Sequence, residues 1–185
     1  MIGELPYRLE VCGTAHKIRT DFRAALTIFQ ALEDPELDDR EKQLAMLECL
    51  YEKPEKIPSE FIEEALEKAT WFLDCGDMPK RTFKEKTLDW EQDESMIFSA
   101  INKTAGREVR LGYMHWWTFL GYFAESGETL LQTVMHLRQK MSKGKTLEKW
   151  ERDFVNEHRE LVMIRHKKTA EEKAEDDFVN SLFGQ

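Results

Sequence analysis

Histidine, cysteine and acidic side chains are the groups in this chain that could bind a metal or carry out catalysis. The chain has five histidines and three cysteines in 185 residues. A di-iron centre in a helical protein needs Glu-x-x-His pairs on facing helices, and a zinc protease needs His-Glu-x-x-His. Neither motif occurs, because the residues three positions before the histidines are Gly13, Gly112, Thr133, Val155 and Met163. Zinc-binding Cys/His spacing, the P-loop and the nucleophile elbow are also missing, so the sequence predicts no metal or cofactor site.

One route to catalysis stays open, because a cysteine and a histidine need only meet in space to form a catalytic pair. The surrounding residues favour packing instead. Cys49 lies in an amphipathic helical pattern, Cys75 precedes a glycine, and His115 lies beside two tryptophans, as hydrogen-bonded packing residues often do. Three arginines could bind anions, although no glycine-rich loop joins them: Arg107, Arg110 and Arg138. A small cytosolic enzyme is therefore the least favoured interpretation, and we predict no catalytic residue.

The charge of the chain is acidic and uneven. With 27 basic and 36 acidic residues the net charge is −9, which argues against nucleic-acid binding because a polyanion requires a basic surface. Residues 1–80 have 10 basic and 18 acidic residues, residues 128–168 have 10 and 6, and residues 169–185 have 1 and 5. This alternation is typical of a solvated surface and also suits contacts between copies of the chain. The widely spaced cysteines and the absence of a secretory pattern predict a protein of the reducing cytoplasm.

The most apolar segment is the eleven-residue run from Tyr113 to Phe123, which contains six of the twenty aromatic residues and no charge. It is too short to span a membrane, which takes about 20 residues. On a helical wheel its apolar arc covers roughly 220°, much wider than the stripe of a surface helix. The predicted buried face is centred on Tyr113, Trp117, Leu120 and Ala124. The predicted outer side consists of His115, Thr118, Tyr122 and Glu125. We predict a central core helix in which Phe119 and Tyr122 are partly exposed and available to a partner.

The first 76 residues predict one hairpin followed by three helices. Residues 7–19 alternate apolar and polar side chains around Gly13, as a β-hairpin does. The helices carry apolar residues at helical spacing, and the third ends at Gly76. Their predicted N-caps are Asp21, Asp38 or Asp39, and Ser59. Residues 77–88 have no clear period and form the predicted linker.

Residues 89–168 predict an aromatic and basic helical lobe. Asp89 is the predicted cap of its first helix, and the aromatic helix and a basic helix follow. Thr146 opens the longest predicted helix, which continues to about Lys168 and would be ~35 Å long. Thr169-x-x-Glu172 matches a capping box and predicts an acidic C-terminal helix or arm over residues 169–185. The apolar end of this arm offers three further candidate partner-binding side chains: Phe178, Leu182 and Phe183.

The ordered motif His115-Trp116-Trp117-Thr118-Phe119-Leu120-Gly121-Tyr122-Phe123 resembles the signature of a bacteriophage family from siphophages and prophages of Gram-positive bacteria. Other pieces match in order over nearly the whole chain: Thr20-Asp21-Phe22-Arg23, Trp71-Phe72, Asp89-Trp90-x-x-Asp93 and Lys143-Gly144-Lys145. The aromatic motif is specific, whereas the Asp-Phe-Arg and Lys-Gly-Lys pieces are weak alone. The resemblance departs at Cys12-Gly13, where the family-like turn is Asp-Gly.

Proteins of this family resemble tail assembly chaperones. The resemblance implies a protein that binds the tape measure protein, the major tail protein or both, in the host bacterial cytoplasm. It would coat the long, apolar tape measure while tail subunits polymerise around it, and it would be absent from the mature virion. The resemblance transfers no catalytic residue. The alternative is a structural tail or connector protein that is retained in the virion.

The residues and the resemblance together predict a mainly α, bundle-like fold of several helices with a short N-terminal β-hairpin. We expect a hairpin and three-helix segment over residues 1–76, a linker over 77–88, an aromatic and basic segment over 89–168, and the acidic arm over 169–185. The two larger segments form one or two lobes. The candidate partner-binding residues are Phe119, Tyr122, Phe178, Leu182 and Phe183, and a second copy of the chain is a further candidate partner.

Overall fold

The predicted mainly α fold with an N-terminal hairpin is confirmed. The structure is a computed structural model that describes residues 3–76 and 86–165, together with the single residues 169, 172 and 174. Over these residues a two-stranded antiparallel sheet is followed by eight α-helices. The strands are β1 (Arg8–Val11) and β2 (Thr14–Lys17). The helices are α1 (Phe22–Leu32), α2 (Asp39–Leu50), α3 (Ile62–Leu73), α4 (Glu94–Ala105), α5 (Trp116–Ala124), α6 (Leu130–Ser142), α7 (Lys149–Glu157) and α8 (Arg159–Val162).

The hairpin turns through the two residues predicted for it. Cys12 and Gly13 have φ angles of 50° and 67°, and positive φ at both central residues is the signature of a type I′ turn. Cys12 therefore occupies a left-handed conformation that Asp or Asn tolerates better than most residues. Leu9 and Val11 point into the core, so the outward face of the hairpin carries the alternate residues.

Three of the predicted helix caps are present. Asp21 accepts a hydrogen bond from the backbone of Arg23 at 3.0 Å, and Asp38 forms a capping box with Glu41. The capping box predicted at residues 169 and 172 also forms, with backbone-to-side-chain distances of 2.8 and 3.2 Å. These bonds satisfy backbone N–H groups that lack a partner within the helix.

Three helix boundaries differ from the prediction. The prediction of one long helix from Thr146 is wrong. Helix α7 begins at Lys149, because Glu148 forms the capping box, and the helical conformation is interrupted at His158 before α8 begins. Asp89 caps a turn ahead of α4 rather than α4 itself, through the backbone of Glu91 and Gln92. A 3₁₀ turn, Ser59–Phe61, precedes α3, which therefore has no side-chain cap.

One hydrophobic cluster includes residues from both predicted larger segments. Phe22 of α1 stacks on Phe119 of α5 with ring centroids 4.6 Å apart, and Phe29 of α1 packs against Trp90 and Trp116. The core therefore joins the segment before the predicted linker to the segment after it. Residues 77–85 of that linker lie outside the described residues.

A buried ion pair holds the second half of the chain together. Arg138 of α6 forms a two-pronged salt bridge with Asp93, and both side chains are at most 4% exposed. The same guanidinium donates to the carbonyls of Thr87, Leu161 and Val162 at 2.7–3.1 Å. Arg138 thus joins α6 to the start of α4 and the end of α8. Its hydrogen-bonding capacity is used within the fold, so the sequence-based suggestion that it binds an anion is wrong.

Replacing Asp93 with Asn should lower the free energy of unfolding by about 3–5 kcal/mol, because the buried guanidinium of Arg138 would lose its counter-charge. Urea unfolding followed by circular dichroism measures this change. The matched control is Asp39→Asn, an exposed carboxylate at the start of α2, which should cost less than about 1 kcal/mol. Equal losses for the two variants would contradict a central role for the Arg138–Asp93 pair.

Candidate interaction surface

The aromatic motif begins with a histidine that acts as a helix cap. The ring Nδ1 of His115 accepts the backbone N–H of Trp117 at 3.1 Å. The ring Nε2 therefore carries the proton and donates to the carbonyl of Pro6, also at 3.1 Å. The ring lies edge-on to Tyr7 and Phe72. Burial lowers the pKa of His115, and the hydrogen bond to Pro6 partly opposes this effect.

The two tryptophans that follow are bound to the end of another helix. The indole N–H of Trp116 donates to the carbonyl of Leu73 at 2.9 Å, and that of Trp117 donates to the carbonyl of Phe72 at 2.8 Å. The last carbonyls of a helix have no i+4 partner within it, so these bonds contribute to the C-terminal cap of α3. The Phe72 carbonyl also accepts the backbone N–H of Cys75 at 3.2 Å. Gly76 follows with φ of 78°, and a Cβ there would lie 3.3 Å from the Trp117 ring. The motif therefore fixes α5 against the end of α3.

The predicted helical wheel is wrong in its phase. Because His115 is the N-cap, residues before Trp116 are not helical, and the fully buried residues of α5 are Trp116 and Phe119. His115, predicted on the outer side, is only 3% exposed. Tyr113, predicted at the centre of the buried face, is 57% exposed. Tyr113, two residues before the cap, thus faces outward, whereas His115 and the first turn of α5 are buried.

The candidate partner-binding residues occupy different environments. The predicted partial exposure of Phe119 is wrong, because its ring stacks on Phe22 and Trp116 and contacts Phe98. Tyr122 packs against the core and is partly buried, which agrees with the predicted partial exposure of its side chain. The other three candidates lie outside the described residues: Phe178, Leu182 and Phe183.

An exposed apolar patch lies at the start of the aromatic motif. Tyr7 and Tyr113 line one groove, and each has an exposed leucine two residues before it in the sequence, Leu5 and Leu111. We call these four residues the tyrosine surface. Leu111 is 86% exposed and Tyr7 is 54% exposed. The hydroxyl of Tyr113 is hydrogen-bonded to that of Thr20 at 2.7 Å, which holds the ring at the surface. Alternation in the first strand could have indicated Tyr7, but no sequence signal distinguished Leu111.

The two tyrosines of this surface also line one groove, which we call the hairpin groove. Its volume is about 610 Å³, and Ile18 and Ala24 lie in it with the tyrosines. The polar residues that line it are Arg8, Lys17, Arg19, Thr20, Asp21 and Glu52. The groove therefore combines aromatic rings with an excess of positive charge.

A second groove, of about 650 Å³, lies beside α6 and α7. Trp150 is its aromatic residue and is 54% exposed. His136, Gln132 and Thr133 of α6 form one wall. This groove has one large apolar side chain at its surface, compared with the four of the tyrosine surface, so it is the weaker candidate for binding an apolar partner.

The described residues give no positive evidence for catalysis. Residues 3–76 and 86–165 contain no group of three or more His, Cys, Asp or Glu residues that could hold a metal ion. Burial, with the charge of Asp74 nearby, raises the pKa of the Cys75 thiol to about 11. At neutral pH this thiol is protonated and is a poor nucleophile. Every helix in the described part of the chain is too short or too polar to cross a membrane.

The described residues thus form a mainly helical domain with exposed aromatic side chains. The family model described as Bacteriophage Gp15 protein matches residues 1–164. The chain therefore belongs to this bacteriophage family, which suggests a structural or morphogenesis protein of a phage. No curated protein and no solved structure matches the chain. The expected bacteriophage resemblance is thus confirmed at the level of the family.

Replacing Trp116 with Phe should lower the free energy of unfolding by at least ~2 kcal/mol, because it removes a buried donor and leaves a cavity beside α3. Chemical unfolding monitored by circular dichroism measures the loss. Trp150→Phe is the control, because the Trp150 indole is exposed and donates to the Glu148 carboxylate; it should cost less than ~1 kcal/mol. A larger loss for Trp150→Phe would contradict the assigned capping role.

The stability of the protein should fall as the pH drops below about 6.5, the ordinary pKa of histidine. Since the folded-state pKa of His115 is lowered, the unfolded chain binds the proton more readily, and acid favours unfolding. In His115→Asn the amide can still cap Trp117, but it does not titrate. Urea unfolding at pH 7.5, 6.5 and 5.5 should therefore show a smaller pH dependence for this variant. The same slope in both proteins would contradict the prediction.

Proposed function

We propose that this protein is a tail assembly chaperone that binds the tape measure protein during assembly of a siphophage tail. The family match supports a phage protein of structure or morphogenesis, and the resemblance of the aromatic motif supports the chaperone role. In this proposal the protein acts in the cytoplasm of a Gram-positive host, contacts the tape measure protein and the major tail protein, and is absent from the mature virion.

The tyrosine surface is the single observation that carries the proposal. A protein that covers a long apolar partner needs apolar area of its own at the surface. The tyrosine surface provides two rings that are more than half exposed and Leu111, whose side chain is almost fully exposed. Tyrosine is enriched at binding sites because it offers a large apolar face and a polar edge.

The position of this surface also supports binding rather than chance exposure. Tyr113 directly precedes the buried part of the motif, and His115 is fixed by its bonds to Pro6 and Trp117. The rings of Tyr7 and His115 are in edge-to-face contact at 5.3 Å. The tyrosines are therefore attached to a rigid core, and a preorganised surface loses little entropy on binding.

Co-expression with the cognate tape measure protein tests the proposal. We expect the chain to raise the amount of tape measure protein that stays in solution and to co-purify with it. Tyr7→Ser/Tyr113→Ser should reduce the recovered complex about tenfold or more, because loss of two central aromatic contacts costs at least ~1.4 kcal/mol. Circular dichroism should show that the variant keeps its helical content.

Trp150→Ser is the matched control, because it removes an equally exposed aromatic ring from the second groove. It should leave recovery of the complex unchanged. A complex that depends on Trp150 instead would place the binding surface elsewhere. Failure of the chain to co-purify with the tape measure protein would contradict the chaperone proposal. Mass spectrometry of purified virions separates the alternative: stoichiometric amounts of the chain there would favour a retained structural tail or connector protein.

A further inference from the structure

Two positive charges lie directly opposite each other on the hairpin. Arg8 of β1 is the register partner of Lys17 of β2, and both side chains are exposed on the outward face. Like charges at directly opposed positions destabilise an antiparallel pair. Glu10 lies on the same outward face, but within the described residues neither Arg8 nor Lys17 is in an ion pair. The fold therefore holds a repulsive pair that a bound anionic group would relieve.

The positive charge extends beyond this pair. A separate cavity of about 460 Å³ adjoins the hairpin groove. It shares Lys17 and Glu52 with that groove and is also lined by Lys53 and Lys56. Together the two cavities are lined by five basic residues, counting Arg8 and Arg19, and by two acidic ones, Asp21 and Glu52. Arg19 donates to backbone carbonyls of α2 and Tyr51. The others form a basic surface on a chain whose net charge is −9.

We propose that the hairpin groove and this adjoining cavity bind the chain's own acidic C-terminal segment, residues 169–185. This segment has five acidic residues and one basic residue. The carboxylates of Glu175, Asp176 and Asp177 would face the basic surface. The apolar residues that follow them would contact Tyr7, Ile18 and Tyr113 in the groove. The inference goes beyond the proposed function, because it requires no phage partner.

The order of acidic and aromatic residues along the segment matches the arrangement of basic and aromatic residues in the groove. The acidic residues Glu175, Asp176 and Asp177 come immediately before Phe178. The groove has the same neighbouring arrangement, with Arg8 and Lys17 beside the two tyrosines. A segment in which acidic residues adjoin aromatic ones can therefore satisfy both kinds of side chain at once.

The segment can reach the site within one molecule. Arg165 is held by a bond from its backbone to Gln92, and twenty residues follow it in the sequence. Glu175 to Asp177 come ten to twelve residues after Arg165. This length of extended chain spans up to ~33–40 Å, comparable with the ~40 Å width of a domain of this size. A tethered segment has an effective concentration in the millimolar range, so binding within one chain is favoured over binding between chains.

Zero-length carbodiimide cross-linking of the full chain tests the proposal, because it joins carboxylates to lysine amines that are in contact. We expect monomeric cross-linked protein in which the peptide containing residues 175–177 is joined to Lys53 or Lys56. Arg8→Glu/Lys17→Glu keeps both reporter lysines and should lower this product about fivefold, as loss of two surface charge pairs would. Phe178→Ser/Phe183→Ser, which keeps the net charge, should lower it as well.

The control is Arg40→Glu/Lys68→Glu, which makes the same change in net charge on α2 and α3, where both side chains are exposed. It should leave the yield of the product unchanged. Three results would overturn the proposal: equal yields from the groove variant and the control, the product only in cross-linked dimers, or cross-links from residues 175–177 only to lysines of α6 and α7.

Discussion

Two hydrogen bonds from adjacent indoles to the end of α3 determine where the other elements lie. Trp116 and Trp117 donate to the carbonyls of Leu73 and Phe72 in the last turn of α3, and the Phe72 carbonyl also accepts the backbone N–H of Cys75. If α5 began one residue earlier or later, both indole donors would move away from these carbonyls. The start of α5 is in turn fixed by His115, whose ring accepts the N–H of Trp117. The helix cap and the indole bonds therefore depend on each other.

Arg138 likewise joins separate segments in the second half of the chain. Its guanidinium neutralises Asp93 and saturates three carbonyls from two separate segments. A buried pair of this kind contributes little net stability compared with apolar packing, but it tolerates few alternative arrangements. The hydrophobic core, aliphatic and aromatic together, accounts for most of the burial. The two polar clusters around His115 and Arg138 specify how the helices join.

The sequence predicted the local features of the fold well and its long-range contacts poorly. Asp21, Asp38 and the Thr169–Glu172 box act within four residues, so their residue types were sufficient to indicate them. Arg138 meets Asp93 across 45 positions, and its role was invisible without the fold. The predicted phase of α5 is wrong because the helical wheel includes His115 as a helical residue, whereas its ring caps the helix. The exposed residues of the tyrosine surface are the least predictable from the sequence, because exposure depends on tertiary packing.

The aromatic motif is both core and surface, and the helix start explains how. Residues after His115 follow the helical period and are buried through Trp116 and Phe119, whereas Tyr113 precedes the cap and faces solvent. The same histidine contacts Tyr7 and Pro6, so it also fixes the segment just before β1, which carries the second tyrosine. The exposed rings of Tyr7 and Tyr113 are therefore held in place by their contacts with the core. A partner that binds there meets a surface that is already ordered, which is the condition for strong binding by few side chains.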